Sequence, residues 1–176
     1  MPRYGRMVTS RGKQEIGGVL MTEPYKAKKI PDHWKTSPKT QVKGKLVAIS
    51  GLRLKGRGTW LMHPLTRACP ENAILELTVT DEEGIEPGIQ VNSVTYIGFM
   101  EVTTGGIVVS GDTFTIDGKD IGIVAGFSDI HYPNHLNIMI ICNKKFVDEY
   151  IEKSTDGTII KLNFQLYDEV VFGKKF

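Results

Sequence analysis

Asp129, His131, Asn134, His135 and Asn137 fall within nine consecutive positions of the run Gly126-Phe-Ser-Asp-Ile-His-Tyr-Pro-Asn-His-Leu-Asn137, which holds two of the four histidines in the chain. Histidine titrates near neutral pH, so two imidazoles beside a carboxylate can give and take protons without large pKa shifts. Asp129, His131 and His135 are therefore the catalytic candidates. The same three side chains form a ligand set for a divalent metal with open coordination positions. Their spacing decides nothing alone. Histidines at i and i+4 share a face on a helix, and Pro133 between them disfavours a helix. A loop can still bring them together. Two other readings fit the same residues: a small-molecule site without metal, and a structural turn in which Asn134 and Asn137 bond to backbone.

A second stretch, Gly51-Leu-Arg-Leu-Lys-Gly-Arg-Gly-Thr59, opens like a phosphate loop but has Arg57-Gly58 where Lys and Ser or Thr are needed. It then continues as strand, so no helix N-terminus faces a phosphate. Arg53, Lys55 and Arg57 on a glycine-rich turn can still hold a carboxylate or phosphate through guanidinium forks and free amides, or simply form a solvated basic hairpin. With His63, Asn134 and Asn137, Arg53 and Arg57 complete the set of substrate-binding candidates for a small anionic ligand. His63, Arg67 and Cys69 would together resemble an activated thiol, but no cysteine-nucleophile signature surrounds them, and a buried Cys69 is the default. Cys142, at the end of an apolar run, reads as core. Asp112, Asp117 and Asp120 lack calcium-loop spacing and read as solvated turn residues.

These residues must be positioned by strands. Gln41 to Leu54, Thr59 to His63, Ile74 to Thr80, Val91 to Thr103, Ile107 to Ser110, Thr113 to Ile116, Ile121 to Phe127 and Leu136 to Cys142 are β-rich and bounded by turn residues, and Thr158 to Val171 reads as a last strand or pair of strands. Ile74 to Thr80 alternates strictly, which predicts a half-buried strand with Glu76 on an outer, acidic face. Leu136 to Cys142 is apolar throughout and must be buried on both faces. Gly98 marks a bulge or barrel corner, Thr104-Gly105-Gly106 a hairpin turn, and Asp117-Gly118 another. Phe146, Val147, Tyr150 and Ile151 form the stripe of one short helix, with Asn143 as its N-cap. Many short strands without strand-helix-strand alternation predict a mainly β fold: a small, closed or nearly closed antiparallel β-barrel over residues 41–176, preceded by an extended N-terminal arm over residues 1–40.

Charge is placed unevenly along the chain. Residues 1–67 hold 15 of the 22 Lys and Arg against three acids, a net +12, whereas the remainder holds seven bases against 17 acids, a net −10. A basic arm lying on the acidic surface of its own or a neighbouring subunit accounts for this better than nucleic-acid binding, because aromatics are not interleaved with the bases. Pro24, Pro31 and Pro38 keep the arm extended, and Trp34 beside His33 predicts that it docks. A homo-oligomer is the expected partner state. With 176 residues, 40% hydrophobic and 24% charged, the composition fits one globular domain and excludes wholesale disorder. No apolar run is long enough for a membrane span, no secretory leader is evident, and two cysteines cannot staple a secreted fold, so a cytoplasmic protein is expected. Two functions remain open: an enzyme of lyase, isomerase or hydratase type acting on a small anionic metabolite, with a divalent metal as the one cofactor suggested, or a non-catalytic ligand-binding or accessory subunit assembling through the arm.

Overall fold

The computed structural model describes residues 13–16, 19–22, 39–153 and 160–173. In chain order its strands are β1 (Lys13–Ile16), β2 (Val19–Thr22), β3 (Val42–Leu54), β4 (Thr59–Trp60), β5 (Thr66–Cys69), β6 (Ile74–Thr80), β7 (Gln90–Val91), β8 (Val94–Thr104), β9 (Gly106–Val109), β10 (Thr113–Ile116), β11 (Lys119–Ser128), β12 (Leu136–Cys142) and β13 (Glu169–Phe172). Strands β10, β11, β12, β6, β8, β3 and β13 are hydrogen-bonded in that order, and β13 returns to β10, so the sheet closes into a barrel. Closure leaves the barrel no open edge for another chain to pair with.

The barrel is not purely antiparallel as the strand pattern suggested. β6 and β12 run parallel, with Leu136 opposite Leu75 and Ile141 opposite Thr80. The reason is topological. Directions can alternate all the way round a ring only if the strand number is even, and a ring of seven must contain a parallel pair. That pair sets Asn137 directly beside Glu76.

The barrel interior is filled by the inward residues of every strand, among them Val42, Leu46, Leu77, Ile97, Met100, Phe114, Phe127, Ile138 and Phe172, all within 1% of complete burial. The outer face of β6 is also covered, contrary to the half-buried strand its alternation predicts. Thr78 and Thr80 are buried, and Thr78 Oγ1 donates to the Ile138 carbonyl at 2.9 Å. A second apolar cluster of Leu61, Val91, Val94, Tyr96, Ala125 and Met139 explains part of this cover. It forms because β4 and β7, paired with each other rather than with the barrel, belong to the long connections around β6 and bring Leu61 and Val91 onto the outer wall.

Local signals in the sequence act as their chemistry predicts. Asp117 and Gly118, at φ 48° and 69°, turn β10 into β11 with Ile116 opposite Lys119. Gly98, at φ 150°, lies so close to the Ala48 carbonyl that a Cβ would collide with it, and the register shifts beside it on both neighbouring strands. The turn at Thr104–Gly106 does not produce a hairpin. β9 leaves β8 and pairs with β5, a strand not anticipated in the segment around Arg67 and Cys69. The Asn143 side chain caps Lys144–Phe146 (α1) by accepting from the Phe146 N–H at 2.9 Å, and the helix continues as a π-turn over Val147–Ile151. Phe146, Tyr150 and Phe164 stack together at this end of the barrel core.

In the N-terminal region β1 and β2 pair antiparallel, Lys13 opposite Thr22, so this part of the expected arm is a pair of strands. Pro24, Pro31, Pro38, His33 and Trp34, with the docking expected of them, lie outside the described residues. Among the described residues no helix is long and apolar enough to cross a membrane.

Candidate metal centre

Four strands carry a row of paired positions on the outer wall. Ser128 of β11 lies opposite Asn137 of β12, Asn137 opposite Glu76 of β6, and Glu76 opposite Phe99 of β8. Register neighbours point to the same face, so Asn137 and Glu76 are side by side, and the Asn137 Nδ2 donates a short hydrogen bond to Glu76 Oε2. Above this row arches the loop 129–135, which joins β11 to β12. It is held by three backbone bonds: Tyr132 N–H to the Asp129 carbonyl at 2.9 Å, and the N–H groups of Asn134 and His135 to the His131 carbonyl at 3.0 and 3.4 Å. The Tyr132–Pro133 peptide is cis.

The last of these bonds spans i to i+4. A single turn of this kind gives His131 and His135 the common face that a helix would have provided, with Pro133 accommodated between them. Both rings then point down at Glu76. His135 Nε2 is 3.2 Å from Glu76 Oε2, His131 Nδ1 is 3.3 Å from the same oxygen, and the two nitrogens are 3.1 Å apart. Phe99 presents a ring edge-on to His135 at 5.0 Å between centroids, which fixes the inner ring. Asn134 Nδ2 lies 2.8 Å from His135 Nδ1, and Asn137 Oδ1 lies 3.1 Å from His131 Nδ1. Glu76 is only 7% exposed, while the His131 side chain is 34% exposed against 12% for His135, so the cluster opens to solvent on the His131 side.

These three atoms form a nearly equilateral triangle. Donor atoms 2.0–2.1 Å from one ion stand about 3.3–3.4 Å apart in a tetrahedron and about 2.8–3.0 Å apart on one octahedral face. The observed edges of 3.1, 3.2 and 3.3 Å lie between these limits. Glu76, His131 and His135 are thus a group able to hold a metal ion. Two imidazoles and one carboxylate suit zinc, iron, manganese, cobalt or nickel, whereas calcium and magnesium prefer all-oxygen sets. As hydrogen-bonding groups alone these atoms are not all satisfied at once: if both ring nitrogens donate to Glu76, two N–H groups lie 3.1 Å apart, and if one imidazole donates to the other, the accepting nitrogen turns its lone pair toward the ionised carboxylate.

The carboxylate that joins the histidines is Glu76, 55 positions before His131, and not Asp129. Asp129 is exposed, and its backbone rather than its side chain shapes the loop. The basic turn is elsewhere. Arg53 pairs with Asp81 at 2.9 Å, just past the far end of β6 from Glu76, and also contacts Ser93 Oγ at 3.1 Å and the Ile151 carbonyl at 3.4 Å. Arg57 Nε donates to the Tyr96 hydroxyl at 2.8 Å, within the second apolar cluster. His63 packs on Gly88, where any side chain would displace its ring. Asn134 and Asn137, by contrast, both reach the histidines. Glu76 carried one sequence signal, a lone carboxylate in a strand of Thr and aliphatic residues, where Glu is a poor strand former.

Neither thiol is poised for nucleophilic work. Burial pushes Cys69 up to about 11 against the lowering charge of Arg67, and Cys142 up to about 12, with Asp81 adding to the rise. Both are free and buried. Asp112 is not a solvated turn residue. It is 4% exposed, and its Oδ2 takes a 2.6 Å bond from Lys39 Nζ and a 2.8 Å bond from the Val109 N–H.

Fold and cluster together define a closed seven-stranded β-barrel with a two-histidine, one-carboxylate centre on its outer wall. The chain belongs to the family of unknown function DUF6917, which matches residues 36–160, a stretch containing every member of the cluster. No curated protein and no solved structure matches the chain.

Proposed function

We propose that this protein binds one divalent transition-metal ion through Glu76 Oε2, His131 Nδ1 and His135 Nε2, and that the ion's open positions take a small anionic metabolite for lyase, isomerase or hydratase-type chemistry. The observation that carries the reading is the triangle of donor atoms with edges of 3.1–3.3 Å. A divalent ion at that point would take a lone pair from each ring nitrogen, so that no two N–H groups face each other there. His135 would then carry its proton on Nδ1, and a turned Asn134 amide would accept it, the outer partner that metal-bound histidines usually have. With Arg53 engaged by Asp81 and Arg57 by Tyr96, the metal itself supplies the positive charge for the anion. As a Lewis acid it can polarise a substrate oxygen or lower the pKa of a bound water. Two buried free thiols are in keeping with a reducing cytoplasm.

Metal analysis of protein purified without chelator tests this. One equivalent of zinc, iron, manganese, cobalt or nickel is expected, falling to background in His131→Ala and in His135→Ala. The second reading, a non-catalytic accessory barrel, draws on the Asn137–Glu76 and Asn134–His135 bonds, which tie the cluster together without an ion. It prevails if metal-free protein takes up none of these ions and the two substitutions cost only stability.

A further inference from the structure

One buried polar group beside this cluster has no partner. Ser128, the last residue of β11, is 1% exposed, and its hydroxyl makes no hydrogen bond. Burying a hydroxyl without a partner is unfavourable, so such groups are rare unless something outside the polypeptide completes them. Its position says what that something is. Ser128 pairs with Asn137 and therefore points to the same face of the barrel, on the side of Asn137 away from Glu76. Asn137 Oδ1 in turn meets His131 Nδ1, and the loop that carries both imidazoles springs from Ser128 itself. Cross-strand neighbours stand about 4.5–5.5 Å apart. That spacing separates Ser128 from Asn137, and Glu76 lies one strand further on, so the hydroxyl is too far to ligate an ion in the triangle and would meet only a ligand that extends from that ion across Asn137.

Resting on the metal reading above, we propose that Ser128 is a positioning residue that donates a hydrogen bond to the oxygen or nitrogen of an anion occupying an open position of the metal. The ligand class this selects is a small anion with an acceptor atom beyond its metal-bound atom, such as a carboxylate, rather than a halide. Ser128 thus supplies the polar contact that Arg53 and Arg57, held elsewhere, do not.

The test uses the full chain loaded with Co(II), whose visible absorption reports both metal uptake and the arrival of azide at the ion. Wild type and Ser128→Ala are expected to take up one Co(II) with the same affinity, because the hydroxyl is not a ligand. Azide affinity is expected to be about tenfold or more weaker in Ser128→Ala, the loss of one hydrogen bond to a charged group, while chloride affinity is the same in both. A hydroxyl with a merely structural role would move neither anion. Equal azide affinity in the two proteins overturns the Ser128 proposal and leaves the metal reading intact. Failure of wild type to take up Co(II) overturns the metal reading and the proposal with it. Should Ser128→Ala not fold, Ser128→Cys carries the same comparison: weaker azide binding supports the proposal, and unchanged binding overturns it.

Discussion

Two carboxylates mark the two ends of β6, and their surroundings differ in kind. Asp81, just beyond the strand, is met by the Arg53 guanidinium at 2.9 Å and the Ser93 hydroxyl at 2.7 Å, and Arg53 also contacts Ser93. Every one of those partners is a donor toward Asp81, and a guanidinium cannot give up its proton. The group is closed by charge and by geometry. Glu76, near the start of the strand, is met by two imidazoles at 3.2 and 3.3 Å. Each imidazole nitrogen can exchange its proton for a lone pair, so the same distances that describe an ion pair also describe a ligand set. A carboxylate's neighbours, more than its burial, thus separate a structural lock from a site that can take a guest.

Swapping the two defects gives the largest contrast. Glu76→Gln removes one of the three proposed ligands, and metal affinity is expected to fall by more than the 10–100-fold that loss of an outer-shell partner costs, with little change in the melting of metal-free protein. Arg53→Met should do the opposite. Removing one partner of a buried ion pair costs about 3–5 kcal/mol. The expected loss here lies below that range, about 2–3 kcal/mol, because the Asp81 side chain is 26% exposed. Metal affinity should be unchanged. Competition titration with a chromophoric chelator and urea denaturation measure the two quantities. If Arg53→Met weakened metal binding as much as Glu76→Gln, the two ends of β6 would not be independent.

A smaller effect sharpens the same contrast within the metal end. Asn134 touches His135 Nδ1 but lies on the exposed loop. Asn134→Ala should lower metal affinity by about tenfold while leaving stability nearly unchanged. A result equal to wild type would mean that His135 finds its outer partner elsewhere.

How much of this could be read in the chain differs between fold and site. The closed barrel, the limits of β6, β10 and β12, the capping by Asn143 and the corner at Gly98 follow from local rules: alternation, turn residues and side-chain capping. The parallel β6–β12 pair does not, because it depends on the number of strands that close the ring, and the covered face of β6 depends on segments 60–91 folding back across it. The site divides along the same line. His131, His135, Asn134 and Asn137 are neighbours in sequence and share a loop. Glu76 joins them only through the β6–β12 register, and Ser128, though it stands in the same run, takes its place beside Asn137 through the β11–β12 register. Asp129, the nearest carboxylate in sequence, is excluded because the turn uses its carbonyl and leaves its side chain outside. Arg53 is drawn off by Asp81, a partner 28 positions away.

The smallest effect is a dependence on pH at the Asp81 end. Burial raises the Asp81 carboxyl, but the hydrogen bonds from Ser93 and Arg53 and the charge of Arg53 outweigh it and hold the group below the usual carboxylate value. An unfolded Asp titrates near about 3.9. Between the folded and unfolded values the unfolded chain binds more protons, so stability rises with pH there. The contribution is complete above the unfolded value and is lost as pH falls through the folded one. Because Asp81 is partly exposed and screened, it should amount to less than about 1 kcal/mol. Unfolding free energies of wild type and Asp81→Asn, both stripped of metal, should therefore differ by a constant amount from neutral pH down to about 5, and the difference should begin to shrink only as pH falls through about 3.9 toward the lower folded value. A difference that persisted undiminished in stronger acid would show that the ionised form of Asp81 is not what Arg53 holds, and the contrast between the two ends of β6 would lose its electrostatic half.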